Sequence, residues 1–159
     1  MKNRKTILLL SLVTIGLILT YYFLPEKKLI AGQKADRIVI NKTKHELLLF
    51  NKEKLIAKYK ISLSRNGLGK KTKSGDNLTP EGRFVGKKRI QTKYHRAIEV
   101  GEWGNCCDVL IHGLGRTYEI LGKFQRWKDW TKGCVALTND EIEEIYAAVR
   151  NGVLIEINK

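Results

Sequence analysis

Apolar and polar positions divide the chain into three unlike parts. Residues Thr6 to Leu24, TILLLSLVTIGLILTYYFL, form an unbroken run of 19 positions without a charge. At 1.5 Å per residue a helix over this run spans roughly 28 Å, close to the hydrocarbon thickness of a bilayer. From Asp36 the pattern shortens to apolar runs separated by NKTK and NKEK, which predicts three consecutive antiparallel strands joined by tight turns. RFVGKKRI and RAIEVG predict two more strands around a turn, and VLIHG predicts a strand that ends on a histidine.

Near the C-terminus the period changes to that of a helix. Thr138 and Glu141 match the S/T-x-x-E capping box, and Ile142, Ile145, Tyr146 and Val149 share one helical face. Asn151-Gly152 is expected to stop this helix, and VLIEI to close the domain as a strand. Two segments lack such periodicity. Ser64 to Gly82 is a 19-residue stretch of Gly, Lys, Ser and Asn, longer than ordinary connections and of a length often tied to function. Tyr118 to Trp130, YEILGKFQRWKDW, predicts a short helix or an irregular excursion, its aromatics expected to pack on the core rather than to line a groove. The fold class is therefore mostly β with one or two α-helices, plus an N-terminal transmembrane helix. The divisions are 1–5 as a basic flank, 6–24 as the span, 25–35 as a linker and 36–159 as one domain.

Charge adds an orientation to the span. Lys2, Arg4, Lys5 and the α-amino group precede it, whereas Glu26, Lys27 and Lys28 follow, so the positive-inside rule places residues 36–159 outside the cytoplasm. A cleavable signal peptide competes with this reading, but YYFLPEKK lacks the small-residue cleavage site and offers interfacial tyrosines instead. An uncleaved membrane anchor is the reading adopted. The whole chain of 159 residues carries +14. Beyond residue 28, 25 basic and 15 acidic residues leave +10 on the exported part, which suits an anionic envelope polymer and disfavours nucleic acid.

Three cysteines, Cys106, Cys107 and Cys134, leave at least one thiol unpaired within the chain. A disulfide between neighbours would need a strained ring, so Cys106 and Cys107 read as free thiols. Zinc held by the three cysteines with His45, His95 or His112 is disfavoured, because adjacent cysteines on a strand point to opposite faces. No metal and no organic cofactor are expected. Cys134 has the surroundings of a nucleophile: Gly133 before it lets backbone and substrate approach, and Lys132 favours the thiolate. His112, at the end of its strand and followed by Gly113, is the candidate base if the fold brings the two together.

Three ordered motifs, GDNLTPEGRF, IHGLGR and TKGCVALTNDEI, resemble the L,D-transpeptidase catalytic domain, the YkuD-like family of bacterial cell-wall enzymes. Its histidine-glycine, [S/T]-x-G-C and TP-x-G elements match His112-Gly113, Thr131 to Cys134, and Thr79 to Gly82. Lys132 stands where the family often has histidine, and Ala136 where Arg or Asn is common. The resemblance implies a β-sandwich-like domain from Asp36 to Asn158 in the cell envelope, acting on peptidoglycan stem peptides. It implies Cys134 as nucleophile, His112 as general base and acid, and a carbonyl near Gly113 as orienter of the imidazole. Backbone N–H groups at Gly133 and Cys134 become oxyanion donors. Thr131, Lys132, Arg116 and Arg83 become substrate contacts, with Arg65, Lys70, Lys71 and Lys73 as further candidates for substrate carboxylates. A monomer is expected. Transpeptidation, hydrolysis of the same L,D-bond, and a non-catalytic module that holds anionic wall polymer remain open as outcomes.

Overall fold

Alternation of period two organises most of the molecule. In β1 (Arg37–Asn41) Ile38 and Ile40 are buried, and in β2 (Glu46–Asn51) Leu47 and Leu49 are buried, with half-buried residues between them. These strands and β3 (Lys54–Lys60) pair antiparallel, as the runs and their turns predict. The turns place His45 and Lys52 at positive φ. The computed structural model describes residues 2–24, 26, 29–101 and 109–159. Cys106 and Cys107, with the free-thiol and zinc readings that rest on them, lie outside the described residues.

The remaining elements are α1 (Lys2–Phe23), β4 (Gly82–Thr92), β5 (His95–Glu99), β6 (Leu110–His112), a 3-10 segment (Arg116–Trp127), β7 (Val135–Ala136), α2 (Asn139–Ala148) and β8 (Val153–Asn158). The eight strands form one mixed sheet in the order β3-β2-β1-β8-β4-β5-β6-β7. The closing strand β8 is central, parallel to β1 and antiparallel to the first half of β4. From Lys87 onward β4 pairs with β5 instead. At the change of partner a Cβ on Gly86 would lie 2.7 Å from Val153, 2.8 Å from Ile155 and 3.2 Å from Ile98. Side chains from both halves of the sheet therefore converge on a point that only glycine leaves open.

α2 packs its apolar face into the same core, through Ile142, Ile145 and Ala148. Its N-terminus has the expected capping box: the Glu141 amide donates to Thr138 Oγ1, and the Thr138 amide donates to Glu141 Oε2 at 3.0 Å. Each bond satisfies a donor that the first helical turn leaves without a partner. The C-terminus differs from expectation. α2 stops at Ala148, Val149 is already extended, and Asn151-Gly152 form the following turn, with Gly152 at φ 87°. Tyr146 is only half-buried, with Lys88 Nζ and the Arg96 guanidinium lying over its ring.

Two further segments differ in outcome, the first following the expectation from its composition and the second departing from it. Among the described residues α1 is one helix long and apolar enough to cross a membrane, and its side chains are largely exposed. The Tyr118 to Trp130 stretch is mostly a 3-10 segment broken at Gly122, where φ is 45° and ψ −122°. Its aromatics do not enter the core. Tyr118 and Trp127 are exposed, while Phe124 packs beside Tyr21 and Tyr22 of α1.

Candidate active site

β6 ends on His112, and β7 begins directly after Cys134. They pair in parallel, Ile111 with Val135 and His112 with Ala136, so the turn that holds Cys134 lies one strand spacing from the strand that ends on His112. On its other side that turn is held by the chain following β3. Ser62 and Ala136 exchange backbone hydrogen bonds of 3.0 and 2.9 Å, and Thr131 donates to Leu63 O at 3.0 Å. The Arg65 amide donates to Thr131 O at 3.1 Å.

Within the turn Thr131 acts as a staple. Its hydroxyl donates to Cys134 O at 2.7 Å and accepts from the Gly133 amide at 3.2 Å. Gly133 has φ 108°, and a Cβ there would lie 2.8 Å from Leu78 O. A side chain at 133 would be strained by the backbone and blocked by the Ser64 to Gly82 loop. Cys134 is half-buried and is in no disulfide among the described residues, and Lys132 is exposed. The Gly133 amide, expected as an oxyanion donor, is shared with Thr131.

His112 is almost wholly buried, and its Nδ1 lies 2.6 Å from Gly113 O. A carbonyl only accepts, so Nδ1 carries the proton and Nε2 of the neutral ring keeps its lone pair. Tyr94 stacks on the imidazole at 4.2 Å between centroids, and Trp130 meets it edge-on at 6.0 Å. Burial lowers the pKa of His112; the hydrogen bond to Gly113 opposes this, and the nearby Lys93 charge adds to it. Gly113, without the positive φ of Gly133, is constrained by its neighbours' side chains. A Cβ there would lie 2.6 Å from Asn139 Oδ1 and 2.8 Å from Ile142, and Asn139 Oδ1 accepts the Leu114 amide at 2.7 Å. The first turn of α2 thus grips the loop after His112.

The Ser64 to Gly82 loop is built around buried charge. Lys42 Nζ donates to Gly69 O at 2.8 Å, Thr79 O at 3.1 Å and Glu81 Oε1 at 2.9 Å. Asp76 accepts from Lys71 Nζ at 2.7 Å and from the amides of Thr72, Lys73 and Leu78 at 2.9, 3.1 and 3.0 Å. Burial alone would raise the Asp76 pKa, but Lys71 and the three amides together hold it well below the usual carboxylate range.

These placements sort the expected substrate cations. Arg116 lines a cleft of about 830 Å³ with Lys93, Tyr94, Tyr118, Trp130 and Asn139, whose Tyr94 and Trp130 rings also face His112. Arg83 lies elsewhere. It pairs with Glu156 and lines a separate groove with Lys70 and Glu81. Lys71 is buried against Asp76. Tyr94, Trp130 and Asn139 are parts of the site that sequence patterns did not single out. Asn139 is next to a recognised cap, but its bond to Leu114 needs the fold to be seen.

A family model described as the L,D-transpeptidase catalytic domain, YkuD, matches residues 35–157. "Putative L,D-transpeptidase YafK" of Escherichia coli K12 is 35% identical over 105 residues, covering 64% of this chain and 39% of the relative. The chain thus matches well under half the length of that protein. Among solved structures, the helical cell shape determining protein Pgp2 of Campylobacter jejuni superposes with a TM-score of 0.58 at 20% identity, covering 80% of this chain and 49% of that one. The L,D-transpeptidase of Mycobacterium smegmatis gives 0.54 at 16% identity, covering 79% and 59%. At such identities these structures bear on the fold alone.

Proposed function

As a chain that belongs to the YkuD family of L,D-transpeptidase catalytic domains, this protein, we propose, is a cysteine-dependent acyltransferase acting on peptidoglycan stem peptides. The observation that carries this reading is the committed imidazole. Nδ1 is bound to Gly113 O and the ring is buried, so Nε2 is the nitrogen able to take a proton from Cys134. The thiolate sulfur attacks the carbonyl of the L,D-bond, and the tetrahedral oxyanion falls to backbone donors of the Gly133–Cys134 turn. To serve there, the Gly133 amide must be shared with or released from Thr131 Oγ1. As the C–N bond breaks, His112 returns the proton to the departing amine of D-alanine and a thioester remains. An amine from a neighbouring stem then forms the new amide and regenerates the thiol; water in its place gives hydrolysis.

Arg116, in the wall of the cleft beside His112, is the cation assigned to a stem-peptide carboxylate. Lys132 and Thr131 flank the nucleophile, and Arg83 is assigned to a more distant part of the polymer. The apolar helix α1 anchors the chain, with the catalytic domain on the outer side of the membrane.

Cys134→Ala is expected to abolish turnover of tetrapeptide-bearing muropeptides and covalent labelling by a carbapenem while leaving the melting temperature unchanged. Undiminished turnover in that variant would sink the Cys134 mechanism, and a native protein with neither turnover nor labelling would leave the wall-polymer-binding module. In the native protein, product masses separate a cross-linked dimer from a tripeptide, and so transpeptidation from hydrolysis.

A further inference from the structure

The 3-10 segment Arg116–Trp127 exposes four large apolar side chains within twelve residues, where the exposed Leu55, Val85, Ile90 and Leu154 are spread over three strands. Ile120 is 81% exposed and Trp127 69%, with Tyr118 and Leu121 also at the surface. Single exposed hydrophobics are ordinary, but several on one short segment mark a contact surface.

Its neighbour indicates what the contact is. The segment is pinned to the C-terminal end of α1: Tyr22 Oη donates to Ile120 O at 3.0 Å, and Lys123 Nζ donates to Leu24 O. Arg126 binds Glu26, just past the helix, at 2.8 and 3.1 Å. Phe124 lies 5.9 Å from the Tyr21 ring and 5.3 Å from that of Tyr22, and 4.7 Å from Trp127. Two elements far apart in sequence thus build one belt of Tyr, Phe and Trp with basic residues among them. That composition matches the zone between acyl chains and headgroups, where amphipathic rings and Lys or Arg are favoured.

We propose that the Arg116–Trp127 segment seats in the interfacial zone of the bilayer that α1 crosses, with Ile120, Leu121 and Trp127 against lipid. This rests on reading α1 as a membrane anchor. The ring contacts put the segment at the depth where α1 leaves the bilayer. Its first residues, Arg116 to Glu119, are also a wall of the cleft beside His112. Lipid contact therefore fixes that cleft next to the headgroups, and the reaction is directed at polymer lying close to the membrane.

The test uses the full chain in vesicles of phosphatidylcholine and phosphatidylglycerol. Flotation with the vesicles reads the anchor. Quenching of tryptophan emission by lipids brominated near the headgroup end of the acyl chain reads the docking. The difference between the native chain and Trp127→Phe separates Trp127 from Trp103 and Trp130. The native chain is expected to float and to be quenched; Trp127→Phe should lose most of that quenching, and Ile120→Glu should weaken it while still floating. A chain that floats but is quenched equally with and without Trp127 overturns the docking and leaves the anchor standing. So does an Ile120→Glu variant that leaves quenching unchanged while converting a dimer to a monomer, which would give the face to a second copy. Failure to float removes the anchor, and the docking with it.

Discussion

Two long segments without regular strands or α-helix flank the candidate dyad, and they are held in opposite ways. The Ser64 to Gly82 loop is polar in composition yet folded around buried charge, with Lys42 and Asp76 each making several short hydrogen bonds inside it. The Arg116–Trp127 segment is aromatic in composition yet turns Ile120 and Trp127 outward. The loop reaches the Cys134 turn through Leu78 O, and the segment leads into Trp130 against His112. Composition alone would bury the aromatic segment, and it hides Lys42 and Lys71 beneath a loop that is otherwise largely exposed. What distinguishes them is where the polar groups find partners: Asp76 accepts from three amides within the loop, and Lys42, in the turn after β1, donates to two of its carbonyls.

The sharpest way to break the loop side is at its contact with the nucleophile turn. Gly133→Ala puts a Cβ into the space of Leu78 O and forces alanine into a positive φ. The loop and the turn then have to part. A displacement of the order of 1 Å at a reacting group costs about 100-fold in rate, and that is the loss expected in turnover. The same change should leave far-ultraviolet circular dichroism intact. Near-native turnover in Gly133→Ala would mean that the loop does not bear on the site.

In the interior of the loop the expected effect is on stability rather than directly on rate. Asp76→Ala removes the acceptor for Lys71 and three amides. Removing the charged acceptor from a buried ammonium and three amides at once costs on the order of 3 kcal/mol. The expected outcome in denaturant is a lower midpoint with faster proteolysis between residues 64 and 82. Ile120→Ser on the other segment, measured in detergent, provides the contrast, since exposed substitutions stay within about 0.5 kcal/mol. Equal losses for the two variants would erase the distinction.

The two segments were legible to different degrees for the same physical reason. Local rules carried the α2 cap, because Thr138 and Glu141 satisfy each other within four residues. Period two carried β1 and β2, because one face of each strand is buried. The central place of β8 is a long-range pairing that its four apolar letters share with any closing strand. Lysines usually lie in solvent, so the burial of Lys42 and Lys71 was hidden until their oxygen partners came into view. The same holds at the site. His112 and Cys134 stood out through adjacent glycines, and Gly113 and Gly133 prove to be where the packing leaves no room for a Cβ. Tyr94 and Trp130 come from a hairpin turn and a segment end, and nothing in their local sequence links them to an imidazole.

Acid titration offers the finest separation of the two sides. An aspartate with a lowered native pKa contributes stability that is present above its unfolded value near 3.8 and lost as pH falls through the native one, so the Asp76 contribution is intact throughout mildly acid solution. His112 behaves differently. Its native pKa lies below 6.5 because the ring is buried, so below 6.5 the unfolded chain binds a proton that the native state does not. Stability therefore falls with pH in that window, and His112→Gln should flatten this part of the profile while Asp76→Ala leaves its slope unchanged. Turnover should persist below pH 6.5 and then fall as Nε2 is protonated and can no longer accept the thiol proton, with the loop still closed. If turnover instead declines together with protease resistance of residues 64–82, the acid limb belongs to the loop, and the neutral buried imidazole is not what limits the reaction.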